Sequence, residues 1–301
     1  MLLNVIIPTY RAKSTIAECI ESIFANRHHT NSGAFEFDVT VVDSSDDETA
    51  DIVEALGEPV KLIRLPDRAY PGAARNRGIE ATNGDILCFI DADAYADHEW
   101  LLSIYEFMEK HGDVAAVGGP VLNGNPEEGW SRLAHWCEFS GYGSGAPEGP
   151  RRVQPTVNLA IRREAFLKYG PFLEDQFGNE DVLLTSNMKD ADEELRFNRS
   201  PRVYHKNKTE LSAIFRHQWR LGESTGNARV KYNLPGSFLT RPGGSFLIPF
   251  VKTHFIGWRL FTQEPGEFSQ FTFLWPWVFT AMTYFSSGFL NGAREASETK
   301  K

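Results

Sequence analysis

Two aspartates directly follow an apolar run that is typical of a buried strand. The run covers residues 86–90, and Asp91 and Asp93 come after it with one alanine between them. Carboxylates this close repel each other unless a cation lies between them. In an open α/β sheet, ligands bind at the carboxyl ends of the strands. We interpret the pair as a site for a divalent metal that carries a phosphorylated ligand; alternatively, the aspartates only end the strand and cap the next helix.

Strand-like and helix-like segments alternate with short connections before and after this pair. Such alternation indicates the α/β class, with a mostly parallel central sheet flanked by helices. Two more strands end in groups suited to a nucleotide: Thr9 and Tyr10 follow residues 5–7, and Asp43 follows residues 37–42. Carboxyl ends of parallel strands share one edge of the sheet, so we expect these groups and the aspartate pair to line one nucleotide site.

Neither of the common phosphate-binding loops is present in the sequence. The first strand is not followed by GxGxxG, which argues against a dinucleotide-binding dehydrogenase, and GxxxxGK[ST] is also missing. The phosphates would then need a metal and arginines for neutralisation. Arg75 and Arg77 lie on the predicted helix just before the aspartate pair and could supply part of that charge. The alternative is that both arginines lie on a solvated helix face.

The charge distribution argues against a nucleic-acid partner. The net charge is −9, and residues 1–232 hold 25 Lys/Arg and 36 Asp/Glu, a balance of −11. A nucleic-acid partner would need a basic face, whereas an acidic body suits metal binding by carboxylates. The three cysteines are far apart, show no CxxC spacing and predict no disulfide framework, which favours a reducing compartment.

Five motifs taken together resemble those of the family 2 glycosyltransferases, which have the GT-A fold. In chain order they are Val-Ile-Ile-Pro-Thr-Tyr (5–10), Val-Val-Asp-Ser-Ser-Asp-Asp-Glu-Thr (41–49), Gly-Ala-Ala-Arg-Asn-Arg-Gly-Ile (72–79), Gly-Asp-Ile-Leu-Cys-Phe-Ile-Asp-Ala-Asp (84–93) and Asn-Glu-Asp-Val (179–182). The resemblance covers about residues 3–225. It implies inverting transfer of a hexose from a UDP- or GDP-sugar donor, with Mg²⁺ or Mn²⁺ as the cofactor.

The resemblance also implies roles for single residues in donor and metal binding. Asp93 and Asp91 would be the metal-binding DXD motif, with Asp91 nearer the ribose, and His205 would complete the metal site. The donor-binding residues would be Pro8, Thr9 and Tyr10 under the nucleoside, Asp43 on the base, Asp91, Arg75, Asn158 and Glu180. A lone histidine is more often structural, and Asn158 is equally consistent with a turn amide.

Asp181 resembles the general base of the family. An inverting reaction needs a base on the face opposite the leaving group, where it takes the proton of the acceptor hydroxyl. Asp181 begins a helical stretch, so the alternative is an acid at a helix N-terminus, where the helix dipole favours it.

The sequence departs from the pattern of processive synthases. Gln218-Trp219-Arg220 has the wrong spacing for their QxxRW motif, which favours addition of a single sugar. We expect a glycan or lipid-linked acceptor, in cell envelope glycan biosynthesis. Two rival functions are a nucleotidyltransferase of sugar metabolism and a non-catalytic nucleotide-sugar-binding protein of the same fold. The first would need a Gly-rich, basic phosphate loop after the first strand, which is missing.

The C-terminal part differs in composition from the rest. We predict a catalytic domain over 1–232 and an aromatic-rich apolar helical segment over 233–301. Residues 268–293 carry no charge over 26 positions, which permits a membrane span, a buried or interfacial helical hairpin, or a dimer interface. We expect membrane contact through 246–293 and a cytoplasmic location at the inner face of the membrane. If the uncharged run spans, the basic Arg294, Lys300 and Lys301 after it favour a cytoplasmic C-terminus. The oligomeric state is left open.

Overall fold

The computed structural model describes residues 1–26, 35–241 and 243–299, so Lys300 and Lys301 lie outside the described part. Contacts between residues divide the chain into two compact units, as far as they are described. The sheet unit comprises Met1–Gly124, Pro147–Gln176 and Glu180–His205. The helical unit comprises Asn125–Ala146, Phe177–Asn179 and Lys206–Lys301.

The sheet unit is built on eight strands, with a second sheet of three. The strands are β1 (Leu2–Thr9), β2 (Glu36–Asp43), β3 (Val60–Arg64), β4 (Ile86–Phe89), β5 (Ala94–Ala96), β6 (Val114–Gly118), β7 (Val121–Asn123), β8 (Gly149–Pro150), β9 (Leu159–Arg162), β10 (Glu194–Phe197) and β11 (Val203–His205). The large sheet has the order β3-β2-β1-β4-β9-β6-β10-β8, and the small sheet has the order β5-β11-β7.

Parallel pairing dominates one half of the large sheet and reverses once in its middle. β3, β2, β1 and β4 are all parallel, as expected for βαβ units. β9 lies between β4 and β6 and is antiparallel to both, while β6 and β10 are again parallel. All four residues of β4 are buried, so this strand is held on both faces. The prediction of an α/β fold with a mostly parallel sheet is confirmed.

Within the described residues, six α-helices belong to the sheet unit and four to the helical unit. The former are α1 (Ile16–Phe24), α2 (Thr49–Ala55), α3 (Pro71–Glu80), α4 (Trp100–Lys110), α6 (Arg163–Tyr169) and α7 (Glu180–Asp190); the latter are α5 (Ser131–Phe139), α8 (Leu211–Tyr232), α9 (Ile248–Gln263) and α10 (Pro265–Thr299). In α1, Ile16, Cys19, Ile20 and Ile23 recur at helical spacing and are fully buried, which fixes the face that packs inward.

The helical unit has its own apolar core. Trp136 of α5, Ile214 of α8, Ile256 of α9 and Val278 of α10 belong to one buried cluster. This packing explains why much of the apolar tail is helical. No helix in the described part of the chain, including the one that contains residues 268–293, is long and apolar enough to cross a membrane.

Within the helical unit, α8 and α10 pack with their backbones in contact. Gly222 and Gly226 lie one turn apart on α8, and a β-carbon at either would collide with a backbone carbonyl of α10, that of Phe285 or Phe289. The same relation holds in reverse for two glycines of α10, also four residues apart. Because backbone atoms cannot rotate away as a side chain does, these positions accept only glycine without a shift of the helices.

We expect Gly222→Ala to destabilise the protein by about 1–3 kcal/mol, because the added methyl overpacks the contact. The helix propensity of alanine would act in the opposite direction by about 1 kcal/mol. Gly266→Ala, also in a helix but with open space around the added carbon, is the matched control and should be neutral or slightly stabilising. Urea unfolding measures both variants, and a Gly222→Ala protein more stable than wild type would contradict the packing argument.

Candidate active site

Asp91, Asp93 and His205 form one cluster although His205 lies more than a hundred residues further along the chain. β11 pairs antiparallel with β5, and this register sets His205 opposite Ala94, the neighbour of Asp93. One ligand atom of each of the three side chains lies within 4.8 Å of the other two. His205 Nε2 is 3.3 Å from Asp93 Oδ1. The Asp93 side chain is 46% exposed and that of His205 is 10% exposed, so the cluster opens on the aspartate side.

This donor set suits a hard divalent cation. Two carboxylates and one imidazole offer oxygen and nitrogen ligands of the kind that Mn²⁺ accepts, and the carboxylates also suit Mg²⁺. No thiol is among the three, which disfavours a soft metal. The residues predicted as the metal site are therefore brought together, and their chemistry fits the predicted ion.

Arg75 joins the cluster to a second acidic pair. Its guanidinium is buried and donates from Nη2 to Asp91 Oδ1 at 2.6 Å and from Nη1 to Glu180 Oε1 at 2.6 Å. Burial lowers the pKa of Arg75, but the negative charges of Asp91, Glu180 and Asp181 offset this and raise it above its ordinary value. Both Nη groups of Arg75 thus bind carboxylates within the protein. Arg77, by contrast, is exposed and pairs with Glu80.

The position of Arg75 is fixed by the anchoring of α3. Pro71 begins the helix, and a β-carbon at Gly72 would collide with the backbone carbonyl of Leu173. One turn on, Asn76 donates to the Phe172 carbonyl at 2.9 Å and accepts from the Phe172 N–H at 3.0 Å. These contacts hold the helix face that carries Arg75 at the carboxyl end of β4.

Asp181 lies in the first turn of α7, beside Glu180. Its Oδ1 accepts from the Val182 N–H at 2.7 Å, and its Oδ2 accepts from the Thr156 N–H at 3.3 Å. Burial and, after it, the negative charge of Glu180 raise the pKa of Asp181 to about 7, against the opposing effects of the Arg75 charge and the two backbone hydrogen bonds. A carboxyl group with such a pKa exchanges its proton near neutral pH, as a general base requires.

The predicted nucleoside-binding residues lie at the ends of two neighbouring strands. Thr9 and Asp43 are register partners, and Asp43 Oδ1 accepts from the hydroxyls of Thr9 and Ser45 at 2.6 Å each. Pro8 is the residue before Thr9 in β1. Tyr10 follows it, half-buried, with the Arg68 guanidinium 4.4 Å from the centre of its ring. The structure therefore brings Pro8, Thr9, Tyr10 and Asp43 together at one edge of the sheet.

Asn158 is fully engaged inside the sheet unit. The side chain is buried, and its amide donates to the carbonyls of Pro120 and Pro201 at 2.9 and 2.8 Å. Its Oδ1 accepts from the Trp100 indole at 2.9 Å. Both amide hydrogens are thus used within the protein, so a donor contact by this side chain would require one of these bonds to break.

Three groups beside the predicted residues were missed from the sequence. Ser45 lies within the quoted motif 41–49, where its spacing from Asp43 gives a signal for a second hydroxyl on that carboxylate. Arg68 lies in a polar connection before α3, and nothing in its local sequence indicates that it approaches Tyr10. The Thr156 N–H that contacts Asp181 is a backbone group, so a motif of side chains does not indicate it.

Comparisons with known proteins agree with this arrangement. The Glycosyl transferase family 2 matches residues 4–170, more than half of the chain. Glycosyltransferase AglE of Haloferax volcanii is 28% identical over 198 residues, which cover 64% of this chain and 63% of AglE. A glucosyl-dolichyl phosphate glucuronosyltransferase of the same organism is 24% identical over 244 residues, which cover 73% of this chain and 75% of the relative.

A solved structure shows the same architecture. The mannosyltransferase PcManGT of Pyrobaculum calidifontis, solved in complex with GDP-Man and Mn²⁺, superposes with a TM-score of 0.64 at 16% identity. The superposition covers 99% of this chain and 88% of that one, and at this identity it speaks for the fold. The family match argues against the nucleotidyltransferase alternative. The chain belongs to glycosyltransferase family 2 and has the GT-A fold.

Proposed function

We propose that this glycosyltransferase is an inverting, metal-dependent hexosyltransferase that moves one sugar from a UDP- or GDP-sugar to an acceptor hydroxyl. The observation that carries the proposal is the buried Arg75, which contacts both Asp91 of the Asp-Asp-His cluster and Glu180 beside Asp181. One cation thus connects a group suited to hold the donor metal with a group suited to take a proton.

The donor would lie along the carboxyl ends of β1, β2 and β4. Asp43 has one oxygen occupied by two hydroxyls, so it is held in a fixed orientation toward the nucleobase, with Pro8, Thr9 and Tyr10 under the nucleoside. Asp91, Asp93 and His205 would hold Mg²⁺ or Mn²⁺ on the diphosphate. The chemistry that such a metal supplies when bound is neutralisation of the charge that develops on the leaving nucleoside diphosphate.

Asp181 would act as the general base. Its carboxylate would accept the proton of the acceptor hydroxyl while that oxygen attacks the anomeric carbon from the face opposite the diphosphate. Two backbone N–H groups hold the carboxylate in place, and Glu180, paired to Arg75, keeps a second negative charge beside it. The raised pKa of Asp181 makes it a stronger base than an ordinary carboxylate, at the cost of being ionised only near neutral pH and above.

We further propose a glycan or lipid-linked acceptor and non-processive transfer. One relative is a glucosyl-dolichyl phosphate glucuronosyltransferase, whose name describes action on a sugar carried by a lipid phosphate. A lipid-linked acceptor is consistent with membrane contact through 246–293 and with a place at the cytoplasmic face of the membrane, in synthesis of cell-envelope glycans.

The metal assignment predicts coupled binding of ion and nucleotide. With Mn²⁺ present, UDP or GDP at about a hundred times its dissociation constant should stabilise the protein by about 2.7 kcal/mol, seen as a higher melting temperature. Asp93→Asn should lose most of this gain, whereas Asp113→Asn, an exposed aspartate outside the cluster, should retain it. Equal stabilisation by nucleotide in the presence of a chelator would contradict the assignment.

Replacing the proposed base should separate chemistry from binding. We expect Asp181→Asn to lower kcat for sugar transfer by about 10²–10⁴, with nucleotide binding unchanged. The control is Asp190→Asn at the exposed end of the same helix. Transfer at the wild-type rate by Asp181→Asn would rule out the base role, and loss of nucleotide binding alone would indicate a structural one.

The difference in stability between Asp181→Asn and wild type should depend on pH. The folded-state pKa of Asp181 lies above its unfolded value, so wild type loses stability as pH rises from about 4 through about 7. Asp181→Asn escapes this loss and should be more stable than wild type at pH 8, on the order of 1–3 kcal/mol, but not at pH 4. Thermal unfolding at the two pH values measures the difference.

Glu180 should tune the pH at which transfer begins. Glu180→Gln removes a negative charge beside Asp181 and leaves Arg75 with fewer partners, and both changes lower the pKa of Asp181. The rising limb of kcat against pH should therefore move to lower pH than in wild type, where it is centred near 7. Asp190→Asn should leave the limb in place. A limb that stays fixed or moves up in Glu180→Gln would show that another group controls it.

A further inference from the structure

Helix α9 is apolar on two opposite faces. Ile256 and Leu260 face the buried core of the helical unit. A second stripe of residues on and just before α9 is 47–57% exposed: Leu247, Phe250, Val251, Phe255, Trp258 and Phe261. A surface helix in water normally presents polar residues on its outer side. We therefore expect the outer stripe to contact an apolar environment outside the chain's own core.

Helix α10 extends the same character. Its Phe273, Trp275, Trp277 and Tyr284 are 43–84% exposed. Between α9 and α10 runs an open groove of about 610 Å³, lined almost wholly by aromatic rings that include Trp258, Phe261, Phe268 and Phe279. We call the exposed stripes and this groove the aromatic face. Contiguous exposed apolar surface of this kind marks a binding surface rather than chance exposure.

The charges on and beside α9 are all positive. Residues 241–263 contain Arg241, Lys252, Arg259 and His254 and no Asp or Glu. The next acid, Glu264, is used inside the unit, where its Oε1 accepts from the Ser144 hydroxyl and the Gly145 N–H at 2.9 Å each.

The acid after that, Glu267, is likewise occupied. It pairs with Arg132 at 2.7 Å. The exposed cations beside the aromatic face are Arg259 on α9 and Arg241 before it, whereas the Lys252 ammonium lies inward, 3.6 Å from the centre of the Phe285 ring. The acids at the start of α10 bind partners within the same unit.

We propose that the aromatic face docks on the surface of an anionic lipid bilayer, with α9 and α10 lying in the headgroup region. Trp, Tyr and Phe partition into this region, and cations beside them attract anionic lipid headgroups. A helix apolar on its outer side but unable to span fits a position in the interface. A two-fold contact between copies of the chain would repeat the α9 cations on both sides of the interface, with no acid along α9 to balance them.

The inference rests on the proposed function, because a lipid-linked acceptor explains why the enzyme would bind a bilayer. A sugar acceptor anchored in a bilayer diffuses in two dimensions, so an enzyme held at the same surface meets it more often than one in solution. The contact itself follows from the aromatic face and its cations alone, and it can be measured without any sugar transfer.

Vesicle flotation of the full chain tests the apolar part. We expect the protein to float with vesicles of phosphatidylcholine plus phosphatidylglycerol, and less with phosphatidylcholine alone. Phe255→Ser combined with Trp258→Ser should lower the partition coefficient by about tenfold or more, since both side chains leave the interface. Leu167→Ser, at an even more exposed apolar site in the sheet unit, is the control and should bind as wild type.

A second variant tests the charge. Arg259→Glu should abolish the preference for anionic vesicles and the salt dependence of binding, while Arg216→Glu, an exposed arginine on α8, should not. Because both arginines are exposed, the two variants should fold alike, which circular dichroism checks.

Two outcomes would overturn the proposal: vesicle binding that the double variant leaves unchanged, and self-association that the double variant abolishes in a protein that binds no vesicles. Stabilisation by UDP or GDP with Mn²⁺ is measured on the same samples. If the nucleotide stabilises a protein that does not bind vesicles, the inference fails and the proposed function stands. If the protein binds vesicles but the nucleotide does not stabilise it, the proposed function fails.

Discussion

A single buried cation holds the candidate site together. Arg75 lies in the interior with a carboxylate on each Nη group, and removing either partner would leave it incompletely paired in a low-dielectric environment, which is costly. The geometry of α3, the orientation of Asp91 and the first turn of α7 are thereby coupled. The Arg75 contacts connect a helix with the end of a strand, and they also fix the position of Asp91 relative to Glu180 and Asp181.

The charge balance around Arg75 explains two further properties of the site. One guanidinium faces Asp91, Glu180 and Asp181, so the surroundings remain negative overall. Part of this excess is relieved when Asp181 holds a proton, which agrees with its raised pKa. Another part would be relieved by a divalent cation at Asp91, Asp93 and His205. Burial and this excess negative charge thus raise the pKa of Asp181, and the same excess favours a cation at the cluster.

Much of the site could be predicted from the sequence because its residues follow strands. Asp43, Asp91 and Asp93 come directly after apolar runs, and a parallel sheet then fixes where those ends lie. The resemblance of five motifs supplied the family, and the family match and the fold confirm it. The direction of the Arg75 side chain could not be predicted in this way. It depends on Asn76 and Gly72 fitting against residues about a hundred positions away.

Non-local pairing also limited how much of the sheet and of the C-terminal tail could be predicted from the sequence. The insertion of antiparallel β9 between β4 and β6 has no local signal, because a four-residue apolar strand reads the same in either direction. For the tail, composition permitted a span, a hairpin or an interface. Only the exposure of each ring distinguishes the face of α9 that packs on the core from the face that does not. Asn158 shows the reverse case, where a polar residue near the site is fixed by three bonds within the fold.

The pairing of β11 with β5 has a consequence for the order in which the protein matures. His205 is 112 residues away from Asp93, and nearly the whole sheet unit precedes it in the chain. On a ribosome, which releases the chain from its N-terminus, β1 to β4 can therefore assemble while the third member of the Asp-Asp-His cluster has yet to emerge. Thr9 and Asp43 therefore belong to the early part of synthesis, and the Asp-Asp-His cluster becomes complete only when the last strand of the unit arrives.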